Sequence, residues 1–103
     1  MLVNMVNDAF EIAKQKTGSN HGWYLQQLNL SNAELQKGIK SFNKQIEKHR
    51  LWINNPYLKI PNFGELHPDR QKNLIERKWP QDIQRHKDQI AILEGILKER
   101  GNG

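Results

Sequence analysis

The side chains of this sequence that exchange protons near neutral pH are its four histidines, His21, His49, His67 and His86. Lysines, arginines and serines surround them, and there is no cysteine. Histidine with cations and hydroxyls suits metal-independent RNA cleavage. A base takes the proton of the 2′-hydroxyl, an acid protonates the leaving oxygen, and cations stabilise the charged phosphorane. Other common chemistries have no motif here: no Walker phosphate loop, no GxSxG elbow, no HExxH. Without cysteine there is no disulfide, thiolate zinc site or thiol nucleophile, and the histidines lack ligand spacing, so neither metal nor cofactor is expected.

His49 and His86 weigh first, because each occupies an apolar helical stripe on segments expected to face one another. Leu35, Ile39, Phe42, Ile46, His49 and Ile53 recur at three- and four-residue intervals, as do Ile83, His86, Ile90, Leu93 and Leu97. The bland reading is a hydrogen-bonded core histidine in both cases. His21, in the glycine-flanked stretch Gly18 to Gly22, is the third candidate, against a plain loop histidine. Ser41 and Lys44 accompany His49, and Arg85 adjoins His86. Lys37, Lys40, Lys44, Lys48 and Arg50 are candidates for RNA phosphate or for a solvated basic flank. Trp52 and Trp79 could stack on bases or close the core. His67 before Pro68 reads as a helix start. A core-facing His49 on a helix with five cations should stay neutral, as a base must be.

The elements that position these residues are helical. Ser31 and Glu34 fit a capping box and Asn55-Pro56 a stop, which predicts a central helix over 32–53. Five cations against Glu34 and Glu47 give that helix a charge of +3. Leu2, Val3, Val6, Phe10, Ile12 and Ala13 predict a first helix over 2–16, a neutral scaffold ended by a left-handed cap at Thr17-Gly18. Trp23 to Leu30 should dock a short turn or helix on the core. Pro56 to Pro68 holds Pro61 and Gly64, which excludes a long regular element. A helix from Pro68 to about Trp79 follows, then a kink or restart at Pro80 and a last helix over 80–100. The expected fold is one all-α domain over 1–103, a bundle of four or five helices with one irregular Pro/Gly-containing connection.

At 103 residues there is room for one modest core. A formal charge of +5 favours polyanionic partners, nucleic acid before membrane surface. No apolar run approaches a membrane span, and the start lacks the basic region of a signal peptide.

The stretches GSNHGWYLQQL, LQKGIKSFNKQIEKHRLWINNP, IPNFGELHPDRQ, KWPQDIQRHKDQ and ILEGILKER resemble a small C-terminal toxin domain of bacterial polymorphic toxins, including Rhs-type and contact-dependent growth-inhibition effectors. The likeness runs from about Gly18 to Arg100, leaving 1–17 as the scaffold helix. It implies secretion, or delivery by a larger effector, and action in the cytoplasm of a target bacterium. It also implies ribonuclease activity, tRNA being a common substrate, a dedicated immunity protein and, in some cases, a host protein of the target cell. The implied site is His21, Lys37, Ser41, Lys44 and His49 with Arg85. His86 stands where the likeness suggests a Gln-like residue, which favours His21 with His49. The other readings are a non-enzymatic basic helical module that binds nucleic acid, and a protein-interaction domain of the immunity or adaptor kind.

Overall fold

The computed structural model describes residues 8–101. It is all-helical, with no strand among the described residues. Its helices are α1 (Asp8–Ala13), α2 (His21–Gln27), α3 (Asn32–Asn54), α4 (Pro68–Asn73) and α5 (Trp79–Glu99).

The central helix α3 forms as its sequence prescribes. The Glu34 amide donates to Ser31 Oγ at 3.1 Å and the Ser31 amide to Glu34 Oε1 at 2.9 Å, so the capping box is complete. The Ser31 amide, and after it the Ser31 hydroxyl, favours the charged carboxylate and holds Glu34 below its ordinary pKa. At the other end Pro56 cannot continue the ladder, and the chain passes through two 3₁₀ turns, Pro56–Leu58 and Phe63–Glu65. Only Phe63 of the second turn is buried; Gln71 reaches back to the Leu66 carbonyl at 2.8 Å to pin this connection.

The kink or restart expected at Pro80 takes the form of a π turn just before it, after which α5 begins at Trp79 with Pro80 in its first turn. Helix α4 runs through a π turn, Leu74–Lys78, directly into α5, so residues 68–99 are helical throughout. The wider turn accommodates the proline: the Trp79 amide bonds Leu74 five residues back, and Pro80, which needs no partner for a missing N–H, takes the second position of α5.

Helices α3 and α5 pack antiparallel along a seam. Ascending α3, Phe42 meets His86, His49 meets Asp82 and Trp52 meets Trp79, so α5 descends. One apolar cluster, Leu35, Ile92, Leu93, Ile96 and Leu97 with Phe10 and Ala13, occupies the end where α1 and α2 dock. A second, Phe63, Leu74 and Trp79 with half-buried Trp52 and Ile53, occupies the other.

The N-terminal scaffold differs in detail. Helix α1 ends at Ala13, and Leu2, Val3 and Val6 lie outside the described residues. The left-handed residue is Asn20 (φ 68°), not Gly18. Gly18 is required for space, because a Cβ there would collide with the Ile12 carbonyl. His21 is not in a loop but opens α2.

Candidate functional site

Where the two apolar clusters meet, the seam turns polar. Its centre is His49, a buried side chain whose two ring nitrogens are both engaged. Nδ1 lies 2.7 Å from the Gln45 carbonyl, one turn back on α3. A carbonyl only accepts, so this nitrogen carries the hydrogen and Nε2 is left as the exchangeable atom. Nε2 faces Asp82 Oδ2 at 3.4 Å. What faces His49 across the seam is a carboxylate, not the cations carried by its own helix.

Asp82 is the residue the sequence reading missed. It is 6 % exposed, and its Oδ1 accepts from Lys78 Nζ and from Arg85 Nη1, both at 3.1 Å. Burial pushes its carboxyl up, but the Lys78 ammonium, then Arg85 and His49, outweigh burial and hold it below the ordinary carboxylate value. The signal was present in part: Lys78, Asp82 and Arg85 stand at four- and three-residue spacing, which brings both cations onto the acid's face.

His86 is the second histidine brought to this point. Its ring lies 5.8 Å from that of His49, edge on, and stacks on Phe42 at 5.4 Å; Nδ1 pairs with Gln89 Oε1 at 2.9 Å. Both imidazoles belong to an unbroken run of ring contacts, Trp23, Phe42, His86, His49, Trp52, Trp79, Phe63 and Tyr57, with successive centroids between 4.6 and 6.3 Å apart. Only the Lys78 and Arg85 arms of the cluster are more than half exposed, at 55 % and 57 %. Among the described residues no buried side-chain polar atom lacks a hydrogen-bond partner, and no three His, Asp or Glu side chains form a group that could hold a metal ion.

The remaining candidates scatter. His21 Nδ1 bonds the Ala13 carbonyl at 2.8 Å, within the cluster that docks on α5 near Gly95. Gly95 and Asp82 are separated by thirteen residues of α5, about 20 Å at 1.5 Å per residue, so the pairing of His21 with His49 is not formed. His67 caps α4, its Nδ1 accepting from the Asp69 amide at 3.0 Å. Trp79 is buried and unavailable to a base, and Trp52 is half-buried with Lys59 Nζ 4.7 Å over its ring. Arg50 pairs with Glu47 at 3.0 Å beside a shallow groove completed by Asn43, Ile46, Lys87 and Ile90, on the flank of the seam away from Asp82.

Ser41 and Lys44 do not accompany His49. At 100° per residue Lys44 lies about 140° around α3 from it, and Lys37, Lys40 and Lys48 lie about 120°, 180° and 100° around. All four lysines and Ser41 are exposed. The four ammonium groups form a ridge along the solvent face of α3, and none of them has a carboxylate partner among the described residues. The basic helix therefore separates into two chemistries, a closed polar cluster on the seam and an open cationic ridge behind it.

No family model matches the chain, and neither a curated protein nor a solved structure does. No helix among the described residues is long and apolar enough to cross a membrane.

Proposed function

We propose that this chain is an RNA-directed domain of the antibacterial toxin kind that its sequence resembles, holding the phosphate backbone of a target-cell RNA such as tRNA on the lysine ridge of α3. The ridge carries this reading. Four exposed ammonium groups on one helix face, without carboxylate partners among the described residues, offer a polyanion charge at no competing internal pair. A dedicated immunity protein, and in some settings a host protein, belong to the same reading. Replacing Lys37, Lys40, Lys44 and Lys48 together by glutamine tests it. Four neutralised phosphates give a log-log salt slope of magnitude about 3 for tRNA binding, which should collapse in the variant. An unchanged slope rejects the ridge as the RNA surface.

The second reading is cleavage at the seam, favoured by the meeting of His49, His86, Asp82, Lys78 and Arg85. In it His49 Nε2 removes the 2′-hydroxyl proton, the oxygen attacks phosphorus, and the 5′-oxygen leaves with a proton from His86, yielding a cyclic phosphate and a free 5′-hydroxyl. Lys78 and Arg85 would meet the phosphorane charge. Two observations oppose it: both imidazoles are more than nine-tenths buried, and His49 Nε2 already faces a carboxylate. Toxicity in bacteria, with and without a candidate immunity protein, and the integrity of total tRNA on a gel decide the matter. Cleavage requires His49→Ala to lose roughly 10²-fold or more in rate while remaining folded. A stable, fully active His49→Leu protein removes the residue from any site and leaves a module that binds RNA without cutting it at the seam.

A further inference from the structure

Beyond Lys48 the ridge runs on to an apolar residue. Leu51, three residues beyond Lys48 and seven beyond Lys44, continues the same face of α3, and it is 53 % exposed. The turn after α3 then presents Tyr57 and Leu58, 53 % and 62 % exposed. Large apolar side chains held this open, at the end of a cationic track, call for an occupant with both charge and flat apolar faces.

We propose that the nucleic acid on α3 is single-stranded and that Tyr57 is a platform on which one of its bases stacks, an inference that rests on the RNA-directed reading above. Tyr57 is exposed but not loose. Its ring meets Phe63 edge on at 5.8 Å, Phe63 stacks on buried Trp79 at 6.3 Å, and its hydroxyl lies over Gly64, where an added Cβ would come within 2.6 Å of it. A ring fixed on one side and open on the other loses little freedom when a base covers it. From Lys37 to Lys48 the ridge spans eleven residues, about 16 Å of helix, so phosphates can be held over several nucleotides before the strand reaches Leu51 and Tyr57. Lys59, its ammonium over Trp52, adds a further exposed cation two residues along the chain from Tyr57. Backbone charges with an aromatic face describe single-strand recognition, in which every base offers a π-face. Duplex RNA buries those faces in its own stack, and its deep, narrow major groove admits no helix. It would use the lysines and leave Tyr57 idle.

The test measures binding by fluorescence anisotropy with 2′-O-methyl RNA, which cannot be cut through a 2′-hydroxyl, as a short single strand and as a blunt duplex of equal length. Single strand should bind more tightly than duplex. Tyr57→Ala should weaken single-strand binding about 5-fold or more and leave duplex binding unchanged, while Tyr57→Phe keeps the wild-type values. Tyr57→Leu, which retains apolar contact with Phe63 but has no π-face, should behave as the alanine variant does, which excludes a folding defect as the cause. Equal loss for both RNAs, no loss in Tyr57→Ala, or tighter duplex binding overturns the platform. If the lysine variant weakens both RNAs while Tyr57→Ala affects neither, the platform fails and the RNA surface stands; if wild-type protein binds neither RNA, both fall.

Discussion

The two ends of the α3–α5 seam are built from different materials, and the polar stretch between them from a third. Toward α1 the interface is aliphatic and dry: Leu35 and Ile92 have no exposed surface, and Gly95 lets the Phe10 ring lie where a Cβ would collide with it. Toward the Pro/Gly connection it is aromatic, with Trp52, Trp79 and Phe63. Between them His49, Asp82 and His86 are as buried as their apolar neighbours. Aliphatic packing rewards contact in any register, whereas a buried imidazole and carboxylate satisfy each other in one. The difference assigns stability to the ends and alignment to the middle, since a slipped α5 would strand Asp82 without His49.

The largest expected effect breaks the aliphatic end. Leu35→Ala or Ile92→Ala removes a fully buried side chain from a close-packed cluster and should cost about 3 kcal/mol in urea unfolding. A loss below 1 kcal/mol would show that this end does not carry the fold.

Asp82→Ala should cost about 2 kcal/mol, less than the aliphatic truncations. Lys78 and Arg85 are free to hydrate, so His49 is the main group deprived of its partner. This residue also sets an acid limit. A carboxyl whose folded pKa lies below its ordinary 3.8 contributes stability that is fully present above that value and is lost as pH falls through the lower, folded value. Wild-type stability should therefore fall as pH drops below about 4, and Asp82→Asn should flatten that part of the profile. A parallel profile in the variant would assign the acid loss elsewhere.

Why Asp82 escaped the sequence is instructive, because α3 was legible almost to the residue. Its cap and stop are local signals, and the three- and four-residue spacing alone places His49 and His86 on facing stripes. Within α5, however, Ile83 and Asp82 compete for the seam, and hydropathy alone awards it to the isoleucine. The structure leaves Ile83 half-buried and turns Asp82 inward, because the acid's partner is an imidazole 33 positions earlier in the chain, which no local pattern encodes. The π turn was illegible for a related reason: Pro80 announces a lost hydrogen bond, not how the preceding turn widens to accommodate it. Helical angle would have separated Ser41 and Lys44 from His49, but sequence proximity grouped them.

A smaller effect separates alignment from chemistry in the polar middle. The double variant His49→Leu/Asp82→Leu replaces a buried pair by apolar groups and should lie within about 1 kcal/mol of wild type, although Asp82→Ala alone is costly. If the middle only aligns the helices, RNA binding persists and any toxicity is retained. If the seam cuts RNA, the same stable protein is inert, and stability and activity part company.

The smallest effect has the opposite sign. Lys44 stands four residues from both Lys40 and Lys48, and like charges at that spacing on an exposed helix repel by a few tenths of a kcal/mol per pair. Lys44→Gln should therefore stabilise the fold by about 0.5 kcal/mol at low salt, and the gain should shrink as ionic strength shortens the screening length. Truncating Leu35, Ile92 or Asp82 alone destabilises; neutralising this lysine does not, because its exposed side chain contributes nothing to the core. A Lys44→Gln protein that is less stable than wild type would place the lysine in the scaffold, whereas one that is slightly more stable and binds RNA more weakly would show that the ridge is retained against the interest of the fold.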